Sequence, residues 1–352
     1  MNKISIIGIG GITALGTDIN DIWEKLKSDE EVNIDYECEY NIPLVIKKNL
    51  LRRMDRFSHM GVYVTTKAIE DLKEDLSSIP KQRIGTIFST GYGPMKTNIE
   101  FCRQVVEDEP DFCSPTVFSN TVANACLGHI CMLFKFTGVS TMLMGSNNIG
   151  YSVMLMEENK ADYIVVGSIE EPDSELIKAF KSRQELSYPI SECALALILK
   201  REGCSETNKG YCNIETFSEC NLGIHPFKKI LDSHSIEYKI RRTIENTIKQ
   251  SIDKKIDAII CSGDPICINN HEIKTINQLV PECKVVDKTK ELFGETLGST
   301  LNLNVAIAAL CIKNQLIPKS ITNTNQDIKN PKQILVCGYD ISGNYTTILV
   351  SK

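Results

Sequence analysis

Few residues in this chain of 352 amino acids are placed to do chemistry. One hydroxyl stands at a candidate nucleophile position: Ser146, in Leu143-Met144-Gly145-Ser146-Asn147-Asn148, where an apolar strand turns into a helix. Serine or asparagine at such a turn most often caps the helix by accepting a backbone N–H, and that is the first reading of Ser146 and Asn147. Nucleophilic chemistry at Ser146 is the second, and it would need a base. No Gly-x-Ser-x-Gly elbow surrounds the serine. His271, in Asn269-Asn270-His271-Glu272, has no partner at useful spacing and reads as a surface or packing residue. Lys290 and Glu295 lie close enough in sequence to form a buried ion pair. The Gly8-Ile9-Gly10-Gly11 cluster lacks the third spaced glycine and the later acid of a dinucleotide site, and no phosphate-loop motif is present.

Fourteen cysteines are dispersed, several inside apolar runs such as Ala308-Ala309-Leu310-Cys311-Ile312. They read as reduced, mostly buried small hydrophobes. Cys126 with Cys131, and Cys261 with Cys267, lack a second matching pair, so no metal is expected. A net charge of −6 excludes a broad basic surface for nucleic acid or an anionic membrane. No apolar run approaches the roughly 18 residues of a membrane span, and the N-terminus enters a strand without a signal-like region, which predicts a cytoplasmic protein.

Strand-like runs at Ile4–Ile9, Ile84–Ser89, Thr141–Gly145, Tyr163–Gly167 and Ala194–Leu199 alternate with helical patterns, an α/β signature. The polar stretch from Lys200 to Lys209 loses periodicity and is the best boundary, giving halves of residues 1–200 and 210–352 in one compact unit. Beyond it, Tyr211–Glu219 predicts a strand, Arg241–Ile252 a helix with Ile240, Ile244, Ile248 and Ile252 on one face, and Ile256–Gly263 the counterpart of the Tyr163–Gly167 strand. Ile334–Gly338 and Thr346–Val350 predict a closing hairpin.

Five pieces of this sequence, in order, resemble β-ketoacyl synthases of the thiolase fold: the Ile4–Gly16 entry strand; Met54-Asp55-Arg56-Phe57 before a long helix; Gly91-Tyr92-Gly93; Ser114–Ile130; and Lys290–Gly298 before an apolar helix. The resemblance spans nearly the whole chain and implies two similar βαβ halves in a five-layered αβαβα sandwich. It also implies a degenerate site. Aligned without a gap from Gly138, Asn147 falls where the family has its cysteine nucleophile; an alignment anchored on Ala161-Asp162 places Met142 there instead. Ser262, in Cys261-Ser262-Gly263-Asp264, replaces the first histidine, and Glu295 replaces the second. Lys290 matches the family's lysine. In the glycine-rich C-terminal loop Ile341 takes the aromatic gate position, Asp340 and Ser342 replace glycines, and Gly343 is kept, so the loop is expected to have lost flexibility.

These features imply a non-condensing subunit similar to a chain-length factor, partnered by an active ketosynthase in type II polyketide or fatty acid biosynthesis and pairing through residues 114–150. A homodimer is the other arrangement. No cofactor is expected on the chain itself, phosphopantetheine being carried by an acyl carrier protein. The alternatives are an acyl-thioester hydrolase or acyltransferase using Ser146 with Glu295 or Asp264, and a scaffold that binds an acyl carrier protein.

Overall fold

A computed structural model describes residues 3–28, 46–107, 110–145, 147–183, 187–203, 210–224, 233–251, 255–263 and 269–352. Its strands are β1 (Ile4–Ile12), β2 (Ile84–Thr90), β3 (Ser140–Met144), β4 (Tyr163–Glu170), β5 (Cys193–Arg201), β6 (Cys212–Asn221), β7 (Ala258–Ile260), β8 (Lys284–Val286), β9 (Leu316–Ile317), β10 (Ile328–Lys329), β11 (Gln333–Tyr339) and β12 (Asn344–Ser351). The strands β9 and β10 form a small separate ribbon. The others form one sheet in the order β3-β2-β4-β5-β1-β6-β12-β11-β7-β8. Counted outward from the middle, β1-β5-β4-β2-β3 and β6-β12-β11-β7-β8 follow the same plan. In each wing the third, fourth and fifth strands are parallel to one another and the second runs antiparallel to both of its neighbours. The wings join through three residue pairs between β1 and β6: Ile4 with Ile214, Ser5 with Asn213, and Ile6 with Cys212.

Period-two alternation distributes the strand side chains between layers. Leu195, Leu197 and Leu199 of β5, with Ile334 and Val336 of β11, face a central helical layer. Ala194, Ala196 and Ile198 face an outer layer built on the helices Arg56–Glu70 and Asn124–Phe134. Leu335 and Cys337 face the other outer layer, built on Ser233–Gln250 and Asn269–Leu279. The central layer holds Ile149, Val153 and Met156 of the helix Asn148–Glu157 and the helix Thr300–Asn314, in which residues 300–312 are all buried. A helix apolar all round belongs between two sheets, and the result is an αβαβα sandwich. β1 approaches its outer helix so closely that a Cβ on Gly8 would lie 2.5 Å from the Ala68 carbonyl oxygen, and one on Gly10 2.6 Å from the Ala68 nitrogen.

The predicted helix Arg241–Ile252 begins earlier, at Ser233, because Ile236 extends the apolar stripe by another turn; it ends at Gln250, and Ile252 lies outside the described residues. Among the described residues no helix is long and apolar enough to cross a membrane.

Candidate functional site

The chemistry-bearing positions gather where strands of both wings end. Gly145 closes β3 with φ of 119°, in the region glycine favours, and a Cβ there would lie 2.8 Å from Asp340 Oδ2 beyond β11. Asn147 occupies the cap position of the helix Asn148–Glu157, but its side chain makes no capping bond. This corrects the expectation of a side-chain cap. At φ −81° and ψ 31° the residue is not extended, as a capping residue is, and its Nδ2 donates to Glu219 Oε2 instead. Ser146 and Asp264 lie outside the described residues.

Ser262, just past β7, is buried with its hydroxyl turned away from the turn and into the helix Asn269–Leu279. Its Oγ donates to Glu272 Oε2 at 2.8 Å and its backbone N–H to the same oxygen at 3.0 Å, while Tyr345 donates to Glu272 Oε1 at 2.7 Å. Burial pushes the Glu272 carboxyl above its ordinary range, with these hydrogen bonds opposing. His271, its neighbour, faces Glu237 at 2.8 Å on the outside of the helix.

Gly263 has φ of 68°, and the methylenes of Lys290 pack beside it. Lys290 reaches on to Glu295, and the two form an ion pair in which both side chains are about 95% buried, at 6% and 5% exposure. The second carboxylate oxygen of Glu295 accepts the Leu297 N–H at 2.8 Å. Main-chain bonds from Glu295 N to Pro189 O (2.7 Å) and from Ser191 N to Glu295 O (3.0 Å) tie this loop to the start of β5.

The loop between β11 and β12 is stapled by one side chain. Asp340 Oδ1 accepts the N–H groups of Ser342 (2.8 Å) and Asn344 (3.1 Å), and Oδ2 accepts Asn344 Nδ2 (3.0 Å). Gly343, with φ of 81°, makes the turn. Ile341 lies against Gly91 after β2.

Sequence reasoning missed Glu170, the residue on which this arrangement closes. It ends β4 fully buried, and its carboxyl accepts N–H groups from Gly91, Tyr92 and Gly298. A Cβ on Gly298 would overlap that carboxyl, which explains why glycine stands there. Desolvation pushes Glu170 up to about 8, the amide hydrogen bonds pulling the other way. Its neighbour Glu171 is also pushed up to about 8, by burial and then by the charges of Asp55 and Glu192. Glu192 is itself held by a bidentate pair from Arg56, at 2.8 and 2.6 Å, which ties the Met54–Phe57 motif to β5. The available signal was an acid, Glu170, ending the otherwise apolar run Tyr163–Ile169.

Strand plan, layers and the meeting of strand ends from both wings define the fold of the thiolase-like ketosynthases. A type II polyketide synthase acyl carrier protein in complex with its ketosynthase bound to the hexaketide superposes with a TM-score of 0.84 over 99% of both chains at 14% identity. The ishigamide ketosynthase/chain length factor does so with a TM-score of 0.85 over 100% of this chain and 99% of that one at 13% identity. In sequence, the 3-oxoacyl-[acyl-carrier-protein] synthase 2 of Staphylococcus aureus is 22% identical over 99% of this chain and 98% of its own. Residues 44–194 match the model of the β-ketoacyl synthase N-terminal domain.

Proposed function

We propose that this protein is a non-condensing ketosynthase-like subunit of the chain-length-factor type, which pairs with an active ketosynthase and shapes the product made on an acyl carrier protein. One observation carries the reading. At the three family positions, Asn147 Nδ2 is hydrogen-bonded to Glu219, while Ser262 and Glu295 are buried and held by Glu272 and Lys290. None is a thiol or an imidazole, and a fixed carboxylate at Glu295 opposes the negative charge that decarboxylative condensation develops. The stapled Asp340 loop supports the same reading, since acyl traffic through a gate needs a loop that moves.

The alternative of a hydrolase or acyltransferase using Ser146 with Glu295 or Asp264 is weaker, because Glu295 already serves Lys290 and serine is a poor nucleophile without a histidine base. The proposal includes the two halves at 1–200 and 210–352, pairing through residues 114–150, a cytoplasmic setting, and phosphopantetheine supplied only by the carrier protein. It is tested by pull-down of the tagged protein from its host and by assay of acyl thioesters and p-nitrophenyl esters. Stoichiometric recovery of a ketosynthase with its cysteine and both histidines, and no ester turnover, is the expected result. Turnover abolished by Ser146→Ala would overturn it.

A further inference from the structure

A cavity of about 610 Å³ lies where the wings join, at the start of β1, the end of β5 and the start of β6. It is about 20 Å from the site described above, at the other end of the helix Thr300–Asn314. Five of its lining residues are cations (Lys3, Lys200, Arg201, Lys313 and Lys352) against one acid, Glu202, in a protein whose net charge is −6. Two of the five have acids of their own: Lys200 binds Glu74, and Arg201 shares Asp162 with Arg83. Among the described residues the other three, Lys3, Lys313 and Lys352, form no ion pair, the acids near them being Glu202 and Asp71, the latter accepting from the Tyr211 hydroxyl at 2.7 Å. The Lys313 ammonium sits 3.6 Å from the centre of the Tyr211 ring, and Lys352 is hydrogen-bonded to the neutral Gln315. Arg201 Nε is a buried donor with no acceptor among the described residues. Unmet buried donors and clustered ammonium groups are the complement of a multiply charged anion, and lysine is a common binder of phosphate as a point charge. The volume falls in the range of small-molecule sites.

We propose that this cavity binds a compact phosphate-bearing polyanion of the pyrophosphate class, free or as part of a nucleotide. Because the ladder between the wings is only three residue pairs long, such a ligand bridges Lys3 of one wing and Lys313 of the other and tightens the joint. The stabilisation follows from binding to the folded state alone.

The test is thermal unfolding and calorimetric titration of the full chain with pyrophosphate, ATP and citrate, with sodium sulfate at matched ionic strength as control. The Lys3→Gln/Lys313→Gln double variant serves as comparison; both lysines are exposed, so folding is not threatened. The expected result is a saturable rise in Tm with pyrophosphate, and affinity at least tenfold weaker in the double variant. Binding of pyrophosphate with ATP distinguishes a nucleotide-sized ligand from pyrophosphate alone, and either supports the site. The proposal is overturned by an absence of saturable binding at millimolar pyrophosphate, by a shift no larger than that of sulfate or citrate, or by an unchanged affinity in the double variant.

Discussion

The two wings end corresponding strands, β4 and β11, beside a buried acid and use it in opposite ways. Glu170 reaches across the chain, gathering amides from Gly91 and Gly298, which belong to different wings. Asp340 folds back on its own loop and bonds groups two and four residues ahead. The first acid holds the site together, while the second rigidifies one loop that lines it. Nearby Glu295 is a third case, a buried carboxylate matched by a cation. In these three the burial of a carboxyl is answered differently, by amides from afar, by amides close by, or by an ammonium.

The sharpest way to break this comparison is to remove the cation. Lys290→Met leaves Glu295 buried and unpaired, and a loss of about 3–5 kcal/mol is expected in urea unfolding. The double variant Lys290→Met/Glu295→Leu should recover most of it. Next, Glu170→Ala strips three amides of their acceptor and is expected to cost about 3 kcal/mol, with faster hydrogen exchange at Gly91 and Gly298.

Glu170→Gln, which keeps the shape, separates charge from contact. Its carboxyl rises from 4.5 to about 8 on folding, so between those values the folded chain holds a proton that the unfolded chain has released. The stability contribution is therefore full below about 4.5 and falls as pH rises towards about 8, with a slope of up to about 1.4 kcal/mol per pH unit. Unfolding measured from pH 5 to 8 should show a shallower decline in the glutamine variant. An unchanged slope would show that Glu170 is ionised throughout. The smallest effect is expected from Asp340→Ala, about 1–2 kcal/mol, with faster exchange confined to Ser342 and Asn344.

These differences track what the sequence could show. The alternating strands, the glycine turns and the apolar helix after Gly298 were legible because hydrophobic period and turn chemistry are local properties. Lys290 and Glu295 could be paired by eye because they are close in sequence and share a loop. Glu170 with Gly91 and Asn147 with Glu219 could not, since each pair joins elements that are far apart in sequence, and Ser262 with Glu272 could not because it depends on how the next helix packs back on its strand. The capping role expected of Asn147 failed for that reason: a distant carboxylate outcompeted the nearby amides. Lys284–Val286 was too short, and too polar at its start, to read as a strand.

The fully buried helix Thr300–Asn314 also bears on how the chain is made. It packs on β11 and β12 of one wing and on β5 of the other, so the inner face of β5 has no complete partner until residues 300–314 have been synthesised. Neither wing is then a self-sufficient folding unit, since the cover of the first is supplied by a helix of the second. Between the making of β5 and of that helix lie about a hundred residues of chain, over which an apolar face waits for its cover.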